Sequence, residues 1–95
     1  MKQKQTIFFN AYEFGERITY IRTTLSLTQK ELSNRMDMDD GSIRRIESGR
    51  PNPTLATINK VAIGLKTPLY VLFLPKEKLD DFLELYKLLL KDKKI

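Results

Sequence analysis

Arg44 and Arg45 stand side by side in a short polar stretch with Asp40, Gly41, Ser42 and Ser48, interrupted only by Ile43, Ile46 and Glu47. A helix through these residues turns Ile43 and Ile46 inward and leaves the arginines, Asp40, Gly41, Ser42 and Ser48 outside. A guanidinium is a planar fork of donors. On an exposed helix face it can take guanine O6 and N7 bidentately, at roughly 1–3 kcal/mol of discrimination against a wrong base. Either arginine can make that contact; a phosphate contact or a solvated helix charge are the other readings. Asp40 can accept from cytosine N4, but it repels phosphates and equally suits the first turn of a helix as charge against the dipole. Gly41 costs a helix up to about 1 kcal/mol against Ala, and its missing side chain admits either a groove wall or a neighbour.

Those side chains need a platform, and the flanking residues describe one. Thr28 and Glu31 are spaced as a capping box, with Leu27 and Leu32 as a hydrophobic staple, which starts a helix at Gln29. The pattern returns eleven residues on, where Asp39 caps the stretch that holds the arginines and Met38 and Ile43 form its staple. Asp37-Met38-Asp39 leaves room only for a sharp turn, and Gly49 ends the second helix. Two short helices joined in this way make a helix-turn-helix, in which the second enters the major groove and the first crosses the phosphate backbone. Gln29, at the start of the first, can hold a phosphate with its side chain and free amides. Thr28, Ser48, Arg50 and Asn52 flank it as further phosphate candidates, and Arg17 and Thr19 are candidates on the preceding helix.

The run from Leu27-Thr28-Gln29 to Ile46-Glu47-Ser48-Gly49, followed by Pro53-Thr54-Leu55, resembles the Cro/cI-type (XRE-like) DNA-binding domain of phage repressors. Phe14-Gly15-Glu16-Arg17-Ile18 to Arg22 is similar to that family's first helix, and Ala62 to Leu72 to its last two. The resemblance spans about residues 12 to 73 in continuous spacing. It implies an all-α fold, a five-helix phage-repressor-like domain, with double-stranded DNA as the partner. It also implies that Asp40, Gly41 and Arg45 occupy base-touching positions, with Ser42 and Arg44 beside them, and that Gln29 contacts phosphate while supporting the reading helix. Glu47 lies close to the core, where an unpaired carboxylate is costly; the resemblance makes Arg22 its partner.

The remaining segments fit around this. Residues 1–9 form an arm. Residues 10–74 form the domain, with Asn10 capping the first helix and Thr54 a fourth, whose apolar face is Leu55, Ile58, Val61 and Ala62 or Leu65. Thr67-Pro68 opens a short fifth helix through Phe73. Residues 75–95 give a sixth, additional C-terminal helix outside the resemblance. Its apolar stripe is too broad for one contact surface. Leu79, Leu83 and Tyr86 lie back on the domain around Leu72 and Phe73, leaving Leu85, Leu88 and Leu89 as a dimer interface. On this reading the five-helix domain closes its own core, and a chain cut after Pro75 stays folded.

Composition bounds the rest. Ninety-five residues suit one domain, and the net charge of +5 favours polyanions, although residues 20–50 hold six basic and five acidic side chains. There is no Cys and no His, so disulfides and thiolate chemistry are excluded and no metal or other cofactor is expected. No run suits a membrane span or a signal peptide, which points to the cytoplasm. An enzyme would need a carboxylate pair in a pocket, whereas the acids read as caps and surface charge. The expected function is a sequence-specific, double-stranded-DNA-binding transcriptional regulator, repressor-like, acting as a homodimer on a pseudo-palindromic operator. The alternative is a protein-interaction module of the antitoxin type, whose C-terminal helix binds a toxin-like partner.

Overall fold

In a computed structural model, which describes residues 9–50 and 52–93, five α-helices and one 3₁₀ helix follow one another. They are α1 (Ala11–Thr24), α2 (Gln29–Met36), α3 (Asp40–Ser48), α4 (Leu55–Leu65), a 3₁₀ helix (Leu69–Phe73) and α5 (Lys76–Lys93). The arm over residues 1–9 lies outside the described residues except for Phe9, whose ring tilts against Phe14 at 5.4 Å.

Each of the first four helices starts on a side-chain cap. Asn10 accepts from Glu13 N, Thr28 from Glu31 N, Asp39 from Ser42 N and Thr54 from Thr57 N. Their ends are alike too. A left-handed residue follows each, Ser26, Asp37, Gly49 and Lys66, and the next amide reaches back five residues to close the turn. Only one of the four is glycine. For the others the left-handed backbone costs roughly 1–2 kcal/mol, offset because the last carbonyls find donors.

The fifth helix differs from its expectation. Thr67 does not cap it: its amide bonds Ala62 O at the end of α4, and its side chain is buried. Pro68 itself stands at the N-cap without a side-chain bond. Between it and Pro75, Leu69–Phe73 forms a short 3₁₀ helix, whose bonds close in three residues. The C-terminal helix is therefore the fifth α-helix among the described residues.

One core gathers Phe14, Ile18 and Ile21 from α1, Leu32 and Met36 from α2, Ile43 and Ile46 from α3, and the inner face of α4. Leu55 is not part of that face. It is the first residue of α4, and a helical side chain leans toward the N-terminus, past the neighbours that cover Ile58, so it is exposed. Gly15 lets α1 cross α3 backbone to backbone, because a Cβ there would stand 2.5 Å from the carbonyl oxygens of both Ile46 and Glu47.

The tail is part of this core. Leu79 and Leu83 are 1% and 2% exposed and join the cluster with Val71 and Leu72. The Tyr86 hydroxyl donates to Lys66 O at the end of α4, satisfying a carbonyl that the helix leaves free. Leu79 and Leu83 thus enter the core that the domain was expected to close alone, which weighs against the tail being surplus to it. Leu85, Leu88 and Leu89 point the other way and are 64%, 58% and 57% exposed.

A polar latch also joins α5 to α1. The Tyr20 hydroxyl donates to Asp80, and Lys76 pairs with the same carboxylate at 3.5 Å while lying over the Tyr20 ring. The Tyr20 bond, then Lys76, hold Asp80 below the usual carboxylate range. A carboxylate with a depressed folded pKa adds stability above its unfolded value, near pH 4, and that addition is lost as pH falls through the folded value. Urea midpoints taken from about pH 6 down to about pH 2.5 should therefore fall more steeply for the native chain than for Asp80→Asn. Parallel acid limbs would show that the latch adds nothing.

Candidate nucleic-acid interface

One buried carboxylate ties three helices together beside the exposed face of α3. Glu47 on α3 accepts from Arg22 Nε at 2.6 Å and Nη2 at 3.1 Å, and from Gln29 Nε2 at 2.8 Å. Arg22 Nη1 donates onward to Leu27 O at 2.8 Å. The Arg22 and Glu47 side chains are only 11% and 6% exposed. Side chains from α1, α2 and α3 thus converge on this ion pair. Because Gln29 spends its side-chain amide on Glu47 and Glu31 N is taken by Thr28, the donors that the first turn of α2 leaves for an anion are the backbone amides of Gln29 and Lys30. Thr28 and Glu31 complete the capping box beside them, at 3.0 Å and 2.8 Å.

At the head of α3, Asp39 Oδ1 accepts from both the amide and the hydroxyl of Ser42, at 2.9 Å each. Those two bonds, then the charges of Arg45 and Arg44, hold the Asp39 carboxyl below its usual range. Arg45 Nη2 donates to Ser42 Oγ at 3.4 Å. Both arginines are exposed, while Asp40, Gly41 and Ser42 are half-buried. Asp40 has one oxygen committed to packing: Oδ1 accepts from the buried Ser33 hydroxyl at 2.8 Å, across the turn from α2. Ser48 donates to Arg45 O within its own helix, and Arg50 and Asn52 lie exposed just beyond it.

The two candidates on α1 sit differently. The Thr19 hydroxyl is used by Gly15 O at 3.0 Å. Arg17 lies two residues beyond Gly15, roughly 200° round the helix from the α3 crossing. It lines a cleft with Phe14, Leu72, Phe73 and Lys76, and its Nη1 is buried without a partner among the described residues. It stands apart from the other candidates.

Sequence reasoning did not single out Ser33 or the carboxylate of Asp39 as parts of this surface. A serine between Leu32 and Met36 on a helix with buried spacing was the available signal for the first. Among the described residues, no three acidic side chains gather as metal ligands, and no helix is long and apolar enough to cross a membrane.

Comparison with known proteins agrees with this geometry. A helix-turn-helix family model matches residues 18–72. No curated protein matches the chain. Among solved structures, the restriction-modification controller protein C.AhdI from Aeromonas hydrophila superposes with a TM-score of 0.64 at 28% identity, over 68% of this chain and 98% of that one. The hypothetical transcription factor NHTF from Neisseria superposes with a TM-score of 0.66 at 23% identity, over 84% and 95% of the two chains, a likeness of fold. ComR from Streptococcus suis gives 0.61 at 31% identity, over 70% of this chain but 22% of its own.

Proposed function

The chain belongs to the XRE-like helix-turn-helix family, and on that premise we propose that it is a sequence-specific transcriptional regulator that binds double-stranded DNA as a homodimer. The observation that carries this reading is the exposed pair of arginines midway along α3, on a helix joined to α1 and α2 through Glu47. Asp40, Gly41, Ser42, Arg44 and Arg45 face base edges. The first-turn amides of α2 with Thr28, and Ser48, Arg50 and Asn52 near the end of α3, hold phosphates on either side. Thr19, whose hydroxyl is committed, and Arg17, across α1, are left out of that set.

The name of C.AhdI as a controller protein supports a regulatory role. The outward leucines of α5 support the dimer. A two-fold contact there would present two α3 helices to one face of the duplex, where successive major grooves lie about 34–36 Å apart. This suits a pseudo-palindromic operator. The same leucines holding a different protein would make the chain an antitoxin-like module, and mass in solution separates the two.

Duplex binding measured across salt concentration tests the reading. Each neutralised phosphate contributes a slope of about −0.9 in log K against log salt. Six or so contacts should therefore give a steep negative line, and a flat one overturns the proposal.

A further inference from the structure

Resting on that reading, we infer that each half-site is recognised through a pair of guanines, taken together by Arg44 and Arg45, with Gly41 as the seat over which both guanidiniums gather. A Cβ on Gly41 would stand 3.2 Å from Arg45 Nη1, 3.5 Å from Asp39 Oδ1 and 3.7 Å from Arg44 Nη2. Successive side chains leave a helix about 100° apart, yet both of these fold back over one residue. Two cations so close repel unless a counter-charge lies near them. Asp39, held by its bonds to Ser42 and lying over the same residue without pairing with either guanidinium, supplies a negative charge nearby, and Ser42 Oγ in turn accepts from Arg45.

The arrangement limits what can be read. Both nitrogens lie within 3.7 Å of one point, so they reach groups no more than about two base-pair steps apart, at roughly 3.4 Å per step. Guanine offers two acceptors to a donor fork on its major-groove edge, whereas adenine puts a donor beside its N7, cytosine presents a donor, and thymine has one acceptor, O4, beside a methyl. Two forks side by side therefore select two guanines within three consecutive base pairs, on either strand. Asp39 and Ser42 are positioning residues: they act through the arginines.

Selection from a random duplex pool with the full chain tests this, using the native protein, Arg44→Ala, Arg45→Ala, Gly41→Ala, Ser42→Ala and Ser42→Thr. The native half-site should contain the guanine pair. Each arginine variant should lose preference at one of the two positions, by roughly 5- to 150-fold. Gly41→Ala should keep its melting temperature, since the added methyl meets no backbone, but should weaken the position that Arg45→Ala loses, because only that guanidinium, at 3.2 Å, must give way. Ser42→Ala should weaken the position that Arg45→Ala loses, and Ser42→Thr should restore it. Half-sites without paired guanines, or guanines indifferent to both arginine variants, overturn the inference while leaving a DNA-binding regulator intact. An unchanged preference in Gly41→Ala removes Gly41 from it. A native chain that selects no duplex overturns both readings.

Discussion

Glu47→Ala should lower the stability of the fold by about 3–5 kcal/mol, the loss that follows when one member of a buried ion pair is removed. For a domain of this size that is a fall in Tm of at least about 12 °C. The size follows from what is stranded. Arg22 would keep its charge at 11% side-chain exposure with only Leu27 O to meet it, and Gln29 would lose its acceptor. Gln29→Ala removes a neutral partner and should cost only about 0.5–1.5 kcal/mol. Replacing the pair together, as Arg22→Met with Glu47→Leu, should recover most of the loss, because no unpaired charge remains. Sequence preference should be the same in Glu47→Ala as in the native chain, since the pair aims α3 without touching bases. Thermal melts of the four proteins check this; an unchanged Tm in Glu47→Ala would show that the pair contributes nothing to stability.

Cutting the chain after Pro75 should unfold it rather than merely separate two subunits. The cut removes Leu79 and Leu83, both fully buried, and burial of a leucine is worth about 1.5–3 kcal/mol. It also uncovers Val71 and Leu72 and strips Tyr86 from the end of α4. Against a total stability of about 5–15 kcal/mol, that loss leaves little margin at 37 °C. Circular dichroism of the shortened chain should show no cooperative melt. The dimer needs a gentler test, in which Leu85, Leu88 and Leu89 are all changed to Glu on the intact chain. Those residues are exposed in one copy, so the variant should keep its Tm at low concentration while light scattering shows a monomer and operator affinity falls. A shortened chain that melts cooperatively near the native temperature would show that α5 is surplus to the core.

Caps and turns were legible in the residues because they are local. Asn10, Thr28, Asp39 and Thr54 each satisfy an amide three residues on, so the hydrogen-bond chemistry and the spacing appear together in the sequence. The inward period of Ile43 and Ile46, the helix-turn-helix and the exposed arginines follow from the same short range. The family resemblance added Arg22 as the partner of Glu47, a contact across 25 residues that no local rule supplies.

What the tertiary structure alone decided is which surfaces meet. The left-handed ends at Ser26, Asp37 and Lys66 carry no glycine to announce them; the packing that turns each chain segment holds them there. Leu55 and Ile58 look alike in sequence, both apolar and close to one turn apart on α4, yet only Ile58 has neighbours lying over it. Arg17 and Arg22 are both arginines on α1, and the crossing at Gly15 sends one to the cleft beside α5 and the other to the α3 side. Most of all, the leucine-rich tail shows two apolar faces in its sequence without saying which is needed at home. Hydrophobic burial has no direction of its own; the buried cluster around Val71 and Leu72 gives it one, drawing in Leu79 and Leu83 and leaving Leu85, Leu88 and Leu89 outside.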